Sequence, residues 1–168
     1  MGLRGSGKST LARALAGATA SRCVDLDDRV AALLGHSSPT AAWNAMGEVA
    51  FRHAEVRALV DAIADQTPII ALGGGTPMAP GAFDLLHPRK RLRPPRIVYL
   101  RAPASVLASR VARGDARPSL LGTDPIAEIP AVLAKRDPFY LGLADAVIEV
   151  GELTESEALV ALLGLVSG

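Results

Sequence analysis

Short apolar runs alternate with amphipathic stretches along this chain. Residues 8–21 carry Leu11, Leu15 and Ala18 at helical spacing, and 23–26 is a brief apolar run. The stretch 27–34 reads as a helix ended by Gly35. Residues 39–46 and 47–64 read as two more helices, the second with Val49, His53, Val56 and Val60 on one stripe. A buried strand is expected at 67–72, stopped by Gly73, Gly74 and Gly75. Then come a short helix at 82–86, a strand at 96–100, helices at 104–112 and 129–136, a strand at 146–150 and a closing helix at 155–166. Between them, 113–125 is rich in Gly, Pro and Asp and reads as a mobile loop. Wholly apolar strands alternating with helices predict an α/β fold, a parallel sheet covered on both faces.

The chain's 168 residues fit one domain, 1–168, and no repeat or linker divides it. With 49% hydrophobic and 21% charged residues it can bury a core. A net charge of +1 argues against nucleic-acid binding by bulk charge. One cysteine, Cys23, argues against a disulfide framework or a cysteine-rich zinc site, and it is expected buried and inert. No apolar run approaches the ~18 residues of a membrane span, and the first ten residues lack a secretory apolar region. We therefore expect a cytoplasmic protein without nucleic-acid or membrane partners. The basic stretch 87–96 reads first as a solvated loop, with a partner or nucleotide patch as the alternative. His36, His53 and His87 lack metal-ligand spacing.

Residues 2–9, GLRGSGKS, match G-x-x-x-x-G-K-[ST] at every fixed position. The glycines let backbone N–H groups turn inward around phosphate oxygens, and the helix behind them aims its positive end at the same anion. Lys8 supplies a compact charge for the β and γ phosphates in a chain that otherwise prefers Arg, 15 to 3. The Ser9 hydroxyl suits Mg²⁺. A phosphate loop normally follows a buried central strand, yet only Met1 precedes Gly2. We expect that the sequence as given starts short, and that the strands flanking the gap lack their ladder partner.

Val24-Asp25-Leu26-Asp27-Asp28 falls at the carboxyl end of the first strand, where ligands bind in open α/β sheets. In an extended segment Asp25 and Asp27 point the same way. That suits one carboxylate near Mg²⁺ and one near an acceptor hydroxyl. Helix capping by Asp27 or Asp28 is the alternative use.

Six segments together resemble the shikimate kinase family of P-loop small-molecule kinases: GLRGSGKST at 2–10, VDLDD at 24–28, GEVAFRHAE at 47–55, ALGGGTP at 71–77, RPSL at 117–120 and RDPFY at 136–140. The resemblance implies a three-layer fold with a five-stranded parallel sheet, its first strand missing here, and a mobile lid at about 112–125. An acceptor-binding helical region would span about 27–60. It implies transfer of the γ-phosphoryl of ATP to a hydroxyl of shikimate by a monomer. ATP would be held by Gly5, Ser6, Gly7, Lys8, Ser9 and Thr10, with Arg110 near the adenine and Arg117 of the lid on the phosphates. Ser9 and Asp25 would serve Mg²⁺, Asp25 through water. Asp27 would bind the acceptor hydroxyls and take the proton. Arg52 and Arg136 would clamp a carboxylate, and Gly73, Gly74 and Gly75 would approach the acceptor by backbone. Lys8, Asp27 and Arg117 would form the catalytic set.

The residue types agree with that reading, since a planar guanidinium pairs bidentately with a carboxylate. For Arg52 a plain helix pair with Glu55 is the competing reading, and for Arg110 a solvated face. Glu48 and Glu55 either orient the arginines or merely solvate their helix. Trp43 is read first as core, with a pocket wall as the alternative. The lid segment is one residue longer than the family's common R-P-L-L form, and Val30-Ala31 stands where the family usually has Glu. Two other functions stay open: a gluconate-type or other P-loop kinase, and a non-catalytic ligand-sensing domain of a regulator.

Overall fold

The computed structural model describes residues 1–87, 97–113 and 124–166. In chain order these form α1 (Lys8–Ala18), β1 (Cys23–Asp25), α2 (Leu26–Leu33), α3 (Pro39–Ala64), β2 (Ile69–Ala71), a 3₁₀ turn (Thr76–Met78), α4 (Ala82–Leu86), β3 (Val98–Arg101), α5 (Ala104–Ala112), α6 (Ile129–Leu143), β4 (Ala146–Glu149) and α7 (Glu155–Val166). The expected lid, Arg117 included, and the basic run after His87 fall largely outside the described residues.

The strands pair in parallel, as the apolar runs predicted, but in two pieces. β1 pairs with β2 in the register Val24–Ile70, and β3 with β4 in the register Tyr99–Val147. Met1 stands beside β3: its amine donates to the Val98 carbonyl at 2.7 Å, and the Leu100 amide donates to the Met1 carbonyl at 2.9 Å. That is a one-residue parallel bridge opposite Tyr99. A cavity of about 360 Å³ opens here, lined by Met1, Leu11, Leu15, Ile70, Val98 and Leu162. Burial pushes the Met1 amine down to about 5. Helix α1 lies on β1 and β2 and packs on α7, while α2 packs on α3 and α5 on α6.

Three sequence expectations need correction. The stripe expected on 47–64 faces the wrong way: Val49, His53 and Val60 are exposed, and the buried face carries Phe51, Ala54, Ala58, Leu59 and Ala62. Ala54, Ala58 and Ala62, one turn apart, let α3 lie close to its neighbours. The break between two helices at Gly47 is present as a kink with φ 75°, a conformation that favours glycine. Helix α6 does not stop at Arg136. It runs through Pro138 to Leu143, because Tyr140 and Leu143 beyond the proline are fully buried. Cys23 is only half-buried.

Candidate active site

The loop 2–9 wraps the amino end of α1. Gly5 has φ 81°, and a Cβ there would lie 2.9 Å from the Leu107 carbonyl, so only glycine fits. Gly7 caps α1 in the left-handed region, and the Leu11 amide bonds its carbonyl at 2.9 Å. Lys8 Nζ crosses the loop to the Leu3 carbonyl at 3.0 Å. Ser6 is buried, and its Oγ has no hydrogen-bond partner among the described residues. Thr10 lies exposed in the first turn of α1. A loop bent by left-handed glycines, an orphaned hydroxyl and a helix amino terminus fit a phosphate chain.

The Ser9 hydroxyl donates to Asp25 Oδ2, which places an alcohol and a carboxylate side by side below the loop. Asp25 Oδ1 accepts from the Asp27 amide at 3.0 Å and caps α2. The capping role expected of Asp27 or Asp28 therefore belongs to Asp25. The alternation argument fails as well: β1 ends at Asp25, and Asp27 sits in the first turn of α2. The fold still separates the two carboxylates, one toward Ser9 and one toward the neighbouring pocket. No group of three metal-ligating side chains occurs among the described residues. The Ser9–Asp25 pair suits a Mg²⁺ that keeps waters and phosphate oxygens as its other ligands.

That pocket is lined by Arg4, Asp27, Trp43, Arg52, Gly74 and Arg136, among others. Arg52 Nη1 donates to Glu55 Oε2 at 2.7 Å, and its Nη2 reaches Glu48 at 3.3 Å. Its guanidinium lies 5.1 Å from the Trp43 ring, which meets Phe51 edge-on. Trp43 thus forms pocket wall and packs on the core as well. The helix pair with Glu55 is real, and it holds Arg52 in the pocket rather than away from it. Glu55 is 1% exposed and also accepts from Thr76 Oγ1 at 2.9 Å. Burial raises its carboxyl above the usual range; Arg52 pulls it back, and the nearby Asp27 adds to the rise.

The triple glycine works in two ways. Gly74 and Gly75 line the pocket, and a side chain on Gly75 would collide with Arg52. At Gly73 a Cβ would collide with Asp27 and come within 2.9 Å of Glu55. The missing side chain makes room there for the Asp27 and Glu55 carboxylates. Arg136 Nη1 and the Tyr140 hydroxyl both donate to the Gly74 carbonyl, at 3.0 and 2.6 Å. Arg110 is half-buried and donates to the Val150 carbonyl at 2.8 Å, so it is more than a solvated face. Thr76, Tyr140 and the buried pair Arg4–Glu128 were missed as site residues. Thr76 follows the triple glycine and Tyr140 ends RDPFY, so position inside a quoted motif was the available signal.

The shikimate kinase family model matches residues 4–165. The chain belongs to the shikimate kinase family. It is 35% identical over 149 residues to the shikimate kinase of Halorhodospira halophila, covering 89% of this chain and 81% of that protein. Against the shikimate kinase of Oleidesulfovibrio alaskensis it is 40% identical over 153 residues, covering 89% and 85%. The structure is similar to that of the Acinetobacter baumannii shikimate kinase in complex with shikimate, with a TM-score of 0.85 and 27% identity over 98% of this chain and 89% of that one. Members of the shikimate kinase family are ATP-dependent phosphotransferases, and ATP with Mg²⁺ is their phosphoryl donor. The family match favours this activity over the gluconate-type and ligand-sensing alternatives. No described helix is long and apolar enough to cross a membrane.

Proposed function

We propose that the chain transfers the γ-phosphoryl of ATP to the 3-hydroxyl of shikimate. One observation carries the residue assignment: Asp27, Arg52 and Arg136 line a single pocket whose wall also includes Arg4 of the phosphate loop. A hydroxylated acid held there has its hydroxyls near Asp27 and its carboxylate near two guanidinium groups. Arg52 and Arg136 grip the carboxylate, each fixed by a contact of its own, to Glu55 and to Gly74. Asp27 orients the attacking hydroxyl and accepts its proton as the O–P bond forms.

On the donor side the loop amides, Ser6 and Lys8 bind the phosphate chain, and Lys8 neutralises charge that builds during transfer. Ser9 and Asp25 would hold Mg²⁺, which supplies further charge neutralisation at the phosphates. Arg110 remains assigned near the adenine. Arg117, outside the described residues, remains assigned to the phosphates by the resemblance. Positioning and charge neutralisation account for the rate, since phosphoryl transfer needs little covalent help from the protein. We also place the enzyme in the cytoplasm as a monomer without nucleic-acid or membrane partners; size-exclusion chromatography tests the oligomeric state.

The test is ATP turnover with shikimate and with gluconate as acceptors. We expect turnover on shikimate and none above background on gluconate. Turnover on gluconate alone overturns the reading.

A further inference from the structure

Arg52 meets two carboxylates of its own helix before any acid arrives. Its Nη1 donates to Glu55 at 2.7 Å, while its Nε and Nη2 both reach one oxygen of Glu48, at 3.4 and 3.3 Å. The two pairs differ in kind. Glu55 is 1% exposed and is also held by Thr76, whereas the Glu48 side chain is 60% exposed and its contacts are long. Arg52 itself is held in place. Its side chain is 14% exposed, the Trp43 ring lies 5.1 Å from the guanidinium, and a Cβ on Gly75 would collide with it.

We infer that Glu48 is a specificity-determining residue of the acceptor site: a carboxylate of this chain that pairs with the Nε–Nη2 edge of Arg52 and is displaced by the carboxylate of the bound acid. That edge offers two N–H donors side by side, the geometry a carboxylate binds bidentately. Arg52 carries one positive charge, so a third carboxylate beside it meets repulsion from the two already there. Glu55 is buried and bonded at both oxygens, so Glu48 is the one that leaves into water. Leaving costs little, because an exposed pair four residues apart on a helix is weak. Glu48 also begins the helical run after the Gly47 kink, where the helix dipole favours a negative charge with or without Arg52. A ligand therefore gains from Arg52 only what it wins over Glu48. An acid that also reaches Arg136, in the same pocket, wins that exchange, and a neutral polyol does not. The identity of the acid rests on the proposed function.

Trp43 lines the pocket and is the chain's one tryptophan, so its fluorescence reads acceptor binding without turnover. Wild type, Glu48→Gln, Glu48→Ala and Glu155→Gln are titrated with shikimate, and KM and kcat are measured at saturating ATP. Glu155 is an exposed carboxylate in the first turn of α7, so its variant removes the same charge elsewhere on the surface. We expect both Glu48 variants to lower the shikimate Kd and KM by about twofold to fivefold, the scale of an exposed ion pair. Their kcat should stay near wild type, since the exchange acts on binding alone. Glu155→Gln should leave the shikimate Kd at the wild-type value. Thermal melts identify any variant that fails to fold, and Glu48→Gln, which keeps the side chain's shape, then decides the outcome. An unchanged or higher Kd in the folded Glu48 variants overturns the inference and leaves the proposed function standing; a higher value would mean that Glu48 only braces Arg52. An equal fall in Glu155→Gln overturns it too, because bulk charge would then account for the effect. A wild type that neither binds nor phosphorylates shikimate overturns the proposed function, and the inference falls with it.

Discussion

The Tyr140 hydroxyl donates to the Gly74 carbonyl oxygen at 2.6 Å. Arg136 Nη1 shares that acceptor at 3.0 Å. The two donors sit one turn apart on α6, so the helix holds the glycine turn at a single oxygen. Tyr140 is fully buried, and burial pushes its phenol up to about 12, so it stays a neutral donor at working pH. The Tyr99 ring packs on the Tyr140 ring at 4.9 Å, and the Tyr99 hydroxyl donates to Asp137 at 2.7 Å. Arg101 grips the same Asp137 from β3. Side chains from β3 thus fix α6 on both sides of Pro138.

Tyr140→Phe should therefore raise the KM for the acceptor while leaving the KM for ATP unchanged. The glycine turn would be held by Arg136 alone, and a hydrogen bond of about 1 kcal/mol would be lost, or about fivefold in affinity. Steady-state kinetics at fixed saturating ATP check this. Equal rises in both KM values would show a general loosening of the fold instead.

Asp27→Asn should lower kcat by about 10²-fold or more and leave ATP affinity near wild type. The side chain faces the acceptor pocket, while Asp25 keeps both the Ser9 contact and the helix cap. An amide preserves shape but cannot accept the hydroxyl proton. Measured side by side, parallel losses in ATP binding and kcat would place Asp27 with the nucleotide.

Much of this site was legible because its chemistry lies in short contiguous segments. The phosphate loop and the glycine run carry their signal in their own spacing, whereas Asp25 and Asp27 are flagged by their place at the end of β1 although the alternation that pairs them does not hold. What stayed hidden depends on contacts between segments far apart in the chain. Arg4 and Glu128 are 124 residues apart, and Tyr140 and Gly74 are 66 apart. No local pattern connects either pair. The face of α3 was misread because Val49 and Val60 looked like core, while Glu55 was left open between orienting an arginine and solvating the helix. Burial of Glu55 becomes intelligible only once Arg52 and Thr76 are seen to satisfy both of its oxygens. The passage of α6 through Pro138 was hidden for the same reason, since burial of Tyr140 overrides a local stop signal.

Two carboxylates should give stability opposite dependences on pH. Hydrogen bonds from Arg101 hold Asp137 below its ordinary range. Its contribution is present above the unfolded carboxylate range and is lost as pH falls through the lowered folded value. Asp137→Asn should thus melt a few degrees below wild type at pH 7, and the gap should close toward pH 3. Glu55 is raised, so its contribution is present below the unfolded range and is lost as pH rises through the folded value. Glu55→Gln should lose less stability than wild type as pH rises above the unfolded carboxylate range. Melting curves over pH 3–8 read both, and a constant gap for Asp137→Asn would remove the linkage.

The slot between β2 and β3 supports the last prediction. Among the described residues β1–β2 and β3–β4 are separate ladders, and Met1 bridges to β3. Its amine lies in apolar surroundings that disfavour its charge. A designed extension of about ten apolar, β-branched residues ahead of Met1 is long enough for one strand. It would turn that amine into an ordinary amide and continue the parallel bridge already begun at Tyr99. It could also pair the edge of β2 that faces the slot. Each buried backbone group repaired is worth about 1–3 kcal/mol, and filling the cavity adds apolar burial at about 25 cal/mol per Å². The extended chain should melt several degrees higher. It should also bind ATP more tightly, because the loop at 2–9 would then spring from a fixed strand. Thermal melting and ATP titration of the two chains side by side test both effects. Equal melting temperatures with equal ATP affinities would mean that the loop and the split sheet hold without a strand in the slot.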